Sequence, residues 1–150
     1  MFTADRWLDL AKKDADALTN ERDADERENL LRSLGVEDAS KLPPHVRADV
    51  KALEEAQKRR ATRSLRDGLD RILVDLLSLY RDVLLLQLEA HVPLVNEELL
   101  SKLRDLAGKT QPEDSLFKIE QIENARIRIS ANVNNLLVLE SLAVNLRVKK

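Results

Sequence analysis

Apolar residues recur in the first part of the chain at the three- and four-residue intervals that are typical of an amphipathic helix. The stripe of this first helix consists of Trp7, Leu8, Ala11, Ala15 and Leu18. Thr3 is placed to cap the helix, and Gly35 is placed to end it. Between them, the run from Glu21 to Arg32 is mostly charged, which predicts a lightly packed, solvated helix.

The middle of the chain is predicted to form one very long helix. A proline pair closes a loop over residues 36–44 and favours a helix that starts at the second proline. No further proline occurs before Pro93, so the helix is expected to run from His45 to about Ala90, with Gly68 as its weakest position. Such a helix is several times longer than the average of about 11–12 residues.

The second half of this long helix has a core stripe and an opposing polar stripe. The core stripe consists of Leu69, Ile72, Leu73, Leu76, Tyr80, Val83 and Leu84. The polar stripe consists of Arg71, Asp75, Ser78, Asp82 and Glu89. Leu85 and Leu86 fall within the polar stripe, which predicts that something apolar covers them.

Shorter helices are predicted after Pro93. Asn96 is placed to cap a helix over residues 97–107 that stops at Gly108. The quartet of residues 110–113 matches a capping box with a proline in the first turn. The apolar residues of the helix that follows are Leu116, Ile119, Ile122 and Ile129. Asn134 is placed to cap a last helix that is apolar nearly all round. One of its faces holds Leu136, Leu139, Ala143 and Leu146, and the other holds Leu137, Val144 and Val148.

These patterns and the composition predict an all-α fold. The chain has only three glycines and four prolines among 150 residues, and it is rich in strong helix formers. Its 43% hydrophobic and 35% charged residues are typical of a globular domain. We expect a helical bundle built on one very long central helix. It would comprise a leading charged amphipathic helix or helices (1–35), a loop (36–44) and a helical domain (45–150).

Composition also limits the chemistry and the compartment. The absence of cysteine excludes disulfides, thiolate nucleophiles and cysteine-based metal sites, and it fits a reducing compartment, so a cytoplasmic location is expected. The N-terminus lacks the apolar region of a signal peptide, and charges interrupt the Leu-rich stretch after Gly68, so no membrane association is expected. A formal net charge of −2 provides no general attraction to nucleic acid.

No group of residues is arranged for catalysis or for binding a metal or cofactor. The glycines are too far apart to form a phosphate-binding loop. His45 and His91 lie at opposite ends of the predicted helix, roughly 70 Å apart if it is straight. Glu140 lies within an apolar helix, and we expect it to have a fixed partner such as an arginine. The chain is therefore not expected to be an enzyme.

The strongest local charge is a basic segment in the first half of the long helix. It contains Lys58, Arg59, Arg60, Arg63 and Arg66. One interpretation is contact with DNA phosphates. The other is a solvated helix that pairs with acidic residues near Glu21 and Glu54, which is favoured because no aromatic residues accompany the cations to stack on bases.

Several segments, taken in order, resemble a known family. They are Ala56–Arg63, Leu69–Leu76, Leu79–Leu84, Asn132–Asn134 leading into Leu139–Glu140, and Leu146–Arg147. Together they resemble the C-terminal collar region of bacterial DNA polymerase III delta-prime subunits, particularly those of actinobacteria, over about Glu54 to Arg147. The family's zinc-binding cysteines, degenerate nucleotide loop and arginine finger have no counterpart here, so those roles do not carry over.

The resemblance implies a non-catalytic assembly domain of the clamp loader used in DNA replication. Collar helices of that family pack against those of the tau/gamma and delta subunits and close one end of a five-subunit ring, while other subunits hydrolyse ATP. This role requires apolar surface, for which the candidates are Leu85, Leu86, Leu137, Val144 and Val148. The same surface would also allow the isolated chain to form a homodimer. The alternative function is a helical nucleic-acid-binding adaptor that uses the basic segment over residues 58–71.

Overall fold

A computed structural model describes residues 2–35 and 43–147, with side chains from residue 4 onward. Every regular element in these residues is helical, which confirms the all-α prediction. The helices are α1 (Phe2–Ser33), α2 (Pro44–Gln87), a short 3-10 turn (Glu97–Leu99), α3 (Leu100–Lys109), α4 (Pro112–Ser130) and α5 (Asn135–Asn145). None of the described helices has the length and apolar character that a membrane span requires.

The chain divides into two compact units. The hairpin unit comprises residues 10–68, and the bundle unit comprises residues 1–9 together with those from Leu69 onward. Helices α1 and α2 contribute residues to both units.

The hairpin unit is an antiparallel pair formed by parts of α1 and α2. Its buried residues are small: Ala11, Ala15, Thr19, Val46 and Val50. Helix α2 continues through Gly68, which was predicted to be its weakest position, and an added Cβ there would lie 3.5 Å from the Cβ of Ala11. The helices approach closely at this point because neither residue has a large side chain.

The buried stripe of α1 differs from the predicted one. Leu18 was expected in the core, but it is 69% exposed, and its neighbour Thr19 is buried instead. The Thr19 hydroxyl donates to the carbonyl oxygen of Ala15 at 2.9 Å, so the polar group is satisfied within the helix. Ala11, Ala15 and Thr19 are spaced by four residues and have small side chains, so the helices can pack closely along this line. Leu18 lies off this line and is therefore exposed, although it is more hydrophobic than Thr19. Thr3 lies inside α1 rather than before it.

In the bundle unit, the second half of α2 lies antiparallel to α4. Asp70 contacts Arg126 near one end of the pair, and Gln87 contacts Ser115 near the other. Helices α4 and α5 form a hairpin of their own, in which Asn145 donates to Gln121 at 3.1 Å. The buried hydrophobic residues of this unit are Ala4, Leu69, Leu73, Tyr80, Val83, Leu103, Ile122, Ala125, Ile129, Val138, Leu139 and Leu142.

Three described helix ends use a residue in the left-handed region. Gly35, Glu89 and Asn132 have φ values of 67°, 52° and 65° and follow α1, α2 and α4. After α2, the Ala90 N–H donates to Leu85 O at 3.0 Å and the Glu89 N–H to Leu86 O at 3.3 Å. This is the Schellman pattern, which satisfies the last free carbonyl groups of a helix. The predicted stop at Gly35 is confirmed.

The N-terminal caps match the sequence prediction in part. Asn134 caps α5 as predicted, since its side-chain oxygen accepts from the Leu137 N–H at 3.3 Å. Asn96 does not cap the next helix with its side chain, which is used elsewhere, and Gly108 lies within α3. Helix α4 begins at Pro112 after Gln111 rather than after Thr110, because Thr110 is buried and hydrogen-bonded. Leu116, predicted as core, is exposed.

Candidate interaction surface

The outer face of α5 carries exposed apolar side chains. Leu137 is 61% exposed and Val144 is 59% exposed. They lie seven residues apart, so they share one side of the helix, while Val138, Leu139 and Leu142 are buried on the other. We call Leu137 and Val144 the outer α5 face. An apolar surface on both sides of one helix is a common feature of helices that pack against a second protein.

The other predicted interface residues are placed differently. Leu85 and Leu86 lie near the end of α2 and are half-buried within the chain. They therefore offer less free surface than the outer α5 face. Val148 lies outside the described residues.

The basic segment is divided between two environments. Arg60 contacts α1, donating to Asp23 at 2.8 Å and to Glu26 at 3.0 Å. The Arg60 hydrogen bond lowers the pKa of Glu26, and the Glu26 hydrogen bond raises the pKa of Arg60, although partial burial opposes both shifts. Lys58, Arg59 and Arg63 are exposed.

Arg66, the fifth cation of the basic segment, is half-buried and is also engaged in an interaction. Glu54 pairs with Arg27 of α1 at 3.1 Å rather than with the basic segment. Of the five candidate DNA contacts, Arg60 is thus committed to holding the helical hairpin.

Asp82 was predicted to lie on the polar stripe of the long helix, opposite the core stripe, and its placement outside the core is wrong. This side chain is completely buried, with 0% exposure. One carboxylate oxygen accepts from the backbone N–H groups of Val95 and Asn96, at 2.9 and 2.7 Å, and from the Asn96 side chain at 2.8 Å. Arg81 donates to the other oxygen at 2.7 Å. We call this arrangement the Asp82 clamp, because it fixes the chain that leads from α2 into α3.

The clamp keeps its carboxylate ionised. Burial alone would raise the pKa of Asp82, but the hydrogen bonds from Asn96, Val95 and Arg81 together hold it below its usual value. The same stripe contains Leu85 and Leu86, whose apolar character was the only sequence sign that this side of α2 is covered. Nothing local marks Asp82 as the residue that binds the loop.

Gln87 joins three helices at the end of α2. Its side-chain nitrogen donates to the carbonyl oxygen and the hydroxyl of Thr110, both at 3.0 Å. Its side-chain oxygen accepts from the hydroxyl of Ser115 at 2.8 Å. Thr110 and Ser115 are buried, so these hydrogen bonds satisfy polar groups that water cannot reach.

Lys118 of α4 is also buried, with 4% exposure. Its ammonium nitrogen lies 5.3 Å from the centre of the Tyr80 ring, within the range of a cation–π contact. Burial lowers the pKa of Lys118, and the charge of Asp114 partly offsets this effect. The burial of this lysine could not be predicted from the sequence, because a lysine on a helix is almost always exposed.

The histidines and carboxylates of the described part of the chain do not form a metal site. No group of histidine, aspartate or glutamate side chains there is placed to hold a metal ion. His45 and His91 are both exposed. Glu140 is half-buried, and no ion pair joins it to another described residue, so the expected arginine partner is not found there. Arg126 instead pairs with Asp70, at 2.6 Å, on the surface between α2 and α4.

Comparison of the chain with protein-family models, with curated proteins and with solved structures gives no significant match.

Proposed function

We propose that this chain is a subunit-assembly domain that acts without catalysis, as the collar of a bacterial clamp loader does. The outer α5 face is the observation that carries the proposal. The ordered resemblance of residues 54–147 to delta-prime collar regions supports the choice of family, with tau/gamma and delta subunits as partners in DNA replication in the cytoplasm. Contact with DNA would then be indirect, through the assembled complex.

Hydrophobic burial gives the outer α5 face a reason to associate. Leu137 and Val144 expose more than half of their surface to water. Removing apolar surface from water contributes about 25 cal/mol per Å², before the entropic cost of association. A partner helix that covers both side chains would therefore gain stability, whereas neither residue contributes much to the core of the isolated chain.

The proposed fold is a collar-like bundle in which α2 is the central helix. Its second half would align helices α4 and α5, which face the partner. Asp70 and Gln87 of α2 both contact α4, through Arg126 and Ser115, which supports this alignment. Half-buried Leu85 and Leu86 would form the edge of the same interface.

Light scattering after size exclusion tests the proposal. The chain is mixed with purified C-terminal domains of actinobacterial tau/gamma and delta subunits, and the expected result is a stable heteromeric peak. The double variant Leu137→Asp with Val144→Asp is expected to weaken this complex at least about tenfold, because two carboxylates would be buried in an apolar contact. A chain that forms a complex with neither subunit would overturn the proposal.

A matched control separates the interface from general effects of surface charge. Leu18→Asp alters a residue of similar exposure on α1, and it is expected to leave the complex intact. If the chain alone elutes as a dimer, the same variants show whether the dimer uses the outer α5 face. Equal loss of binding in the control and in the α5 variant would contradict the assigned surface.

A second proposal, nucleic-acid binding by the basic segment, is favoured by the exposure of Lys58, Arg59 and Arg63. Fluorescence anisotropy with primed DNA would then show an affinity that falls linearly with salt on logarithmic axes. Replacing the three residues by glutamine would reduce the slope by about two to three, and Arg60 is left in place because it holds α1. Absence of salt-dependent binding would exclude this function.

A further inference from the structure

The bundle unit contains a small cavity beside the buried ammonium of Lys118. Its volume is about 160 Å³, and it lies where the end of α3, the start of α4 and the end of α5 meet. Lys109, Asp114, Lys118, Asn145 and Arg147 contribute polar groups to its lining. The lining of the cavity therefore includes three cationic side chains and one carboxylate.

Lys118 has an unusual environment for a lysine. Among the described residues it makes neither a hydrogen bond nor an ion pair, and its partner is the face of the Tyr80 ring. A ring can attract the cation, but it does not accept three N–H groups as oxygen atoms do. Burial of an ammonium without an anionic partner is unfavourable, so a lysine at this position needs a compensating interaction.

The ammonium remains in contact with the cavity. In the described part of the chain, no side-chain nitrogen or oxygen is both sealed from solvent and without a hydrogen-bond partner. Because the Lys118 nitrogen has no such partner there, it must retain accessible surface, and Lys118 lines the cavity. Its donors are therefore available to a group that enters this space.

The other lining groups favour a negative charge. Arg147 is exposed at the edge of the cavity, and Lys109 forms an exposed pair with Asp105, which a ligand can displace at little cost. The N-terminus of α4 adds the positive end of a 19-residue helix. Asp114 opposes these groups, but its carboxylate already accepts the Gln111 N–H at 3.2 Å.

We propose that this cavity binds a phosphate dianion, with Lys118 as its buried ligand and Arg147 and Lys109 at its entrance. Three cations against one carboxylate match a ligand with two negative charges. The cavity is large enough for a phosphate group, while a nucleoside would have to remain outside. The proposal is independent of the assembly function, since none of these residues belongs to the outer α5 face.

Titration of this chain with inorganic phosphate, followed by backbone amide NMR at constant ionic strength, tests the site. Saturable shifts are expected near residues 109–118 and 145–147, with a Kd on the order of 1 mM. Lys118→Met keeps the length of the side chain but removes its charge, and it is expected to weaken binding at least about tenfold. Lys102→Met changes an exposed lysine of α3 outside the cavity and is expected to leave the Kd unchanged.

Further arms separate the alternatives. Arg147→Gln alters an exposed position, where substitutions usually change stability little, so a weaker phosphate response in this variant supports the site even if Lys118→Met fails to fold. Similar Kd values for phosphate and adenosine monophosphate would identify the phosphate group itself as the ligand, and tighter binding of the nucleotide would identify phosphate as part of a larger molecule. The absence of saturable shifts, unchanged affinity in both variants, or an equal response to acetate would overturn the proposal.

Discussion

A single carboxylate, that of Asp82, organises the connection between α2 and α3. It accepts hydrogen bonds from two consecutive backbone N–H groups and from the side chains of Asn96 and Arg81. A buried charge is stable only when it is fully satisfied, and removing it would leave these donors without acceptors. The stability of the bundle unit should therefore depend strongly on this one residue.

Asp82→Ala is expected to destabilise the chain by about 3 kcal/mol, because several buried donors lose a charged acceptor. Asp75→Ala is the matched control, since Asp75 is exposed on the same helix, and it should change stability by less than about 0.5 kcal/mol. Urea denaturation followed by circular dichroism measures both values. Similar losses in the two variants would show that the Asp82 clamp does not stabilise the fold.

The Asp82 clamp also predicts that the stability of the chain depends on pH. Since the pKa of Asp82 is lowered in the folded chain, its contribution to stability is complete above the ordinary aspartate pKa of about 3.9 and is lost as the pH falls through the lowered value. The stability difference between the natural chain and Asp82→Asn should therefore be constant from about pH 7 to pH 5 and shrink below about pH 4. Denaturation midpoints at these pH values measure it, and a difference that grows in acid would contradict the assignment.

At the scale of the helices, termination depends on a few residues in the left-handed region. Gly35 adopts this conformation without strain, whereas Glu89 adopts it with a Cβ atom. Both residues follow the last turn of a helix, where a glycine is usually preferred. The end of α2 is therefore less favourable than the end of α1.

Glu89→Gly is expected to stabilise the chain by about 0.5–1 kcal/mol by relieving this strain. Gly35→Ala is expected to destabilise the chain by about 1 kcal/mol, and it serves as the control because no described residue lies within 4 Å of the added Cβ. Thermal unfolding compares the two. A loss of stability in Glu89→Gly would mean that the glutamate side chain stabilises the fold by more than its left-handed backbone conformation costs.

Gly68 offers a test of helix packing in the hairpin unit. Gly68→Ala is expected to stabilise the chain by about 0.5–1 kcal/mol, since alanine is the better helix former and the new methyl group would make an ordinary contact with Ala11. Gly68→Leu is expected to destabilise it, because a larger side chain cannot fit where the two helices approach. Thermal unfolding of both variants measures these effects, and destabilisation by Gly68→Ala would show that the approach is tighter than described.

Sequence patterns predicted the elements whose signals are local. The cap at Asn134, the stop at Gly35 and the core stripe through Leu69, Leu73 and Val83 each depend on neighbouring residues, so they could be identified in advance. The placement of Asp82 could not, because its donors come from a loop that follows later in the chain. Periodicity identifies a polar residue on the outer side of a helix, but only tertiary contacts decide whether that side is covered.

For the candidate surfaces too, features that depend on one helix could be predicted, whereas those that depend on contacts between helices could not. Leu137 and Val144 were identified as a second apolar face because they are seven residues apart on a helix that is apolar all round. Lys118 was not identified, since its burial depends on Tyr80, which lies on another helix.

At the scale of the molecule, the two units have different interiors. The described core of the hairpin unit contains alanine, threonine and valine, while that of the bundle unit contains leucine, isoleucine and tyrosine. Burial of larger apolar side chains contributes more to stability, at about 1.5–3 kcal/mol for each side chain of the size of leucine or valine. The bundle unit should therefore open less often.

Hydrogen exchange measured by mass spectrometry tests this difference. Amides of residues 11–33 and 46–66 in the hairpin unit are expected to exchange faster than those of α4 and of residues 69–87 in α2, because local opening costs less where fewer large side chains are buried. The two parts of α2 provide an internal comparison within one helix. Equal protection along the whole of α2 would show that the two units unfold together.

The Asp82 clamp has a consequence for protein engineering. It fixes Val95 and Asn96, and the Schellman turn at Glu89 fixes the other end of the same connection. The exposed residues between them, from His91 to Pro93, carry none of these anchoring contacts. Lengthening a loop between fixed ends costs only about 0.6 kcal/mol for each doubling. A peptide tag or a reporter domain could therefore be inserted there without displacing either helix.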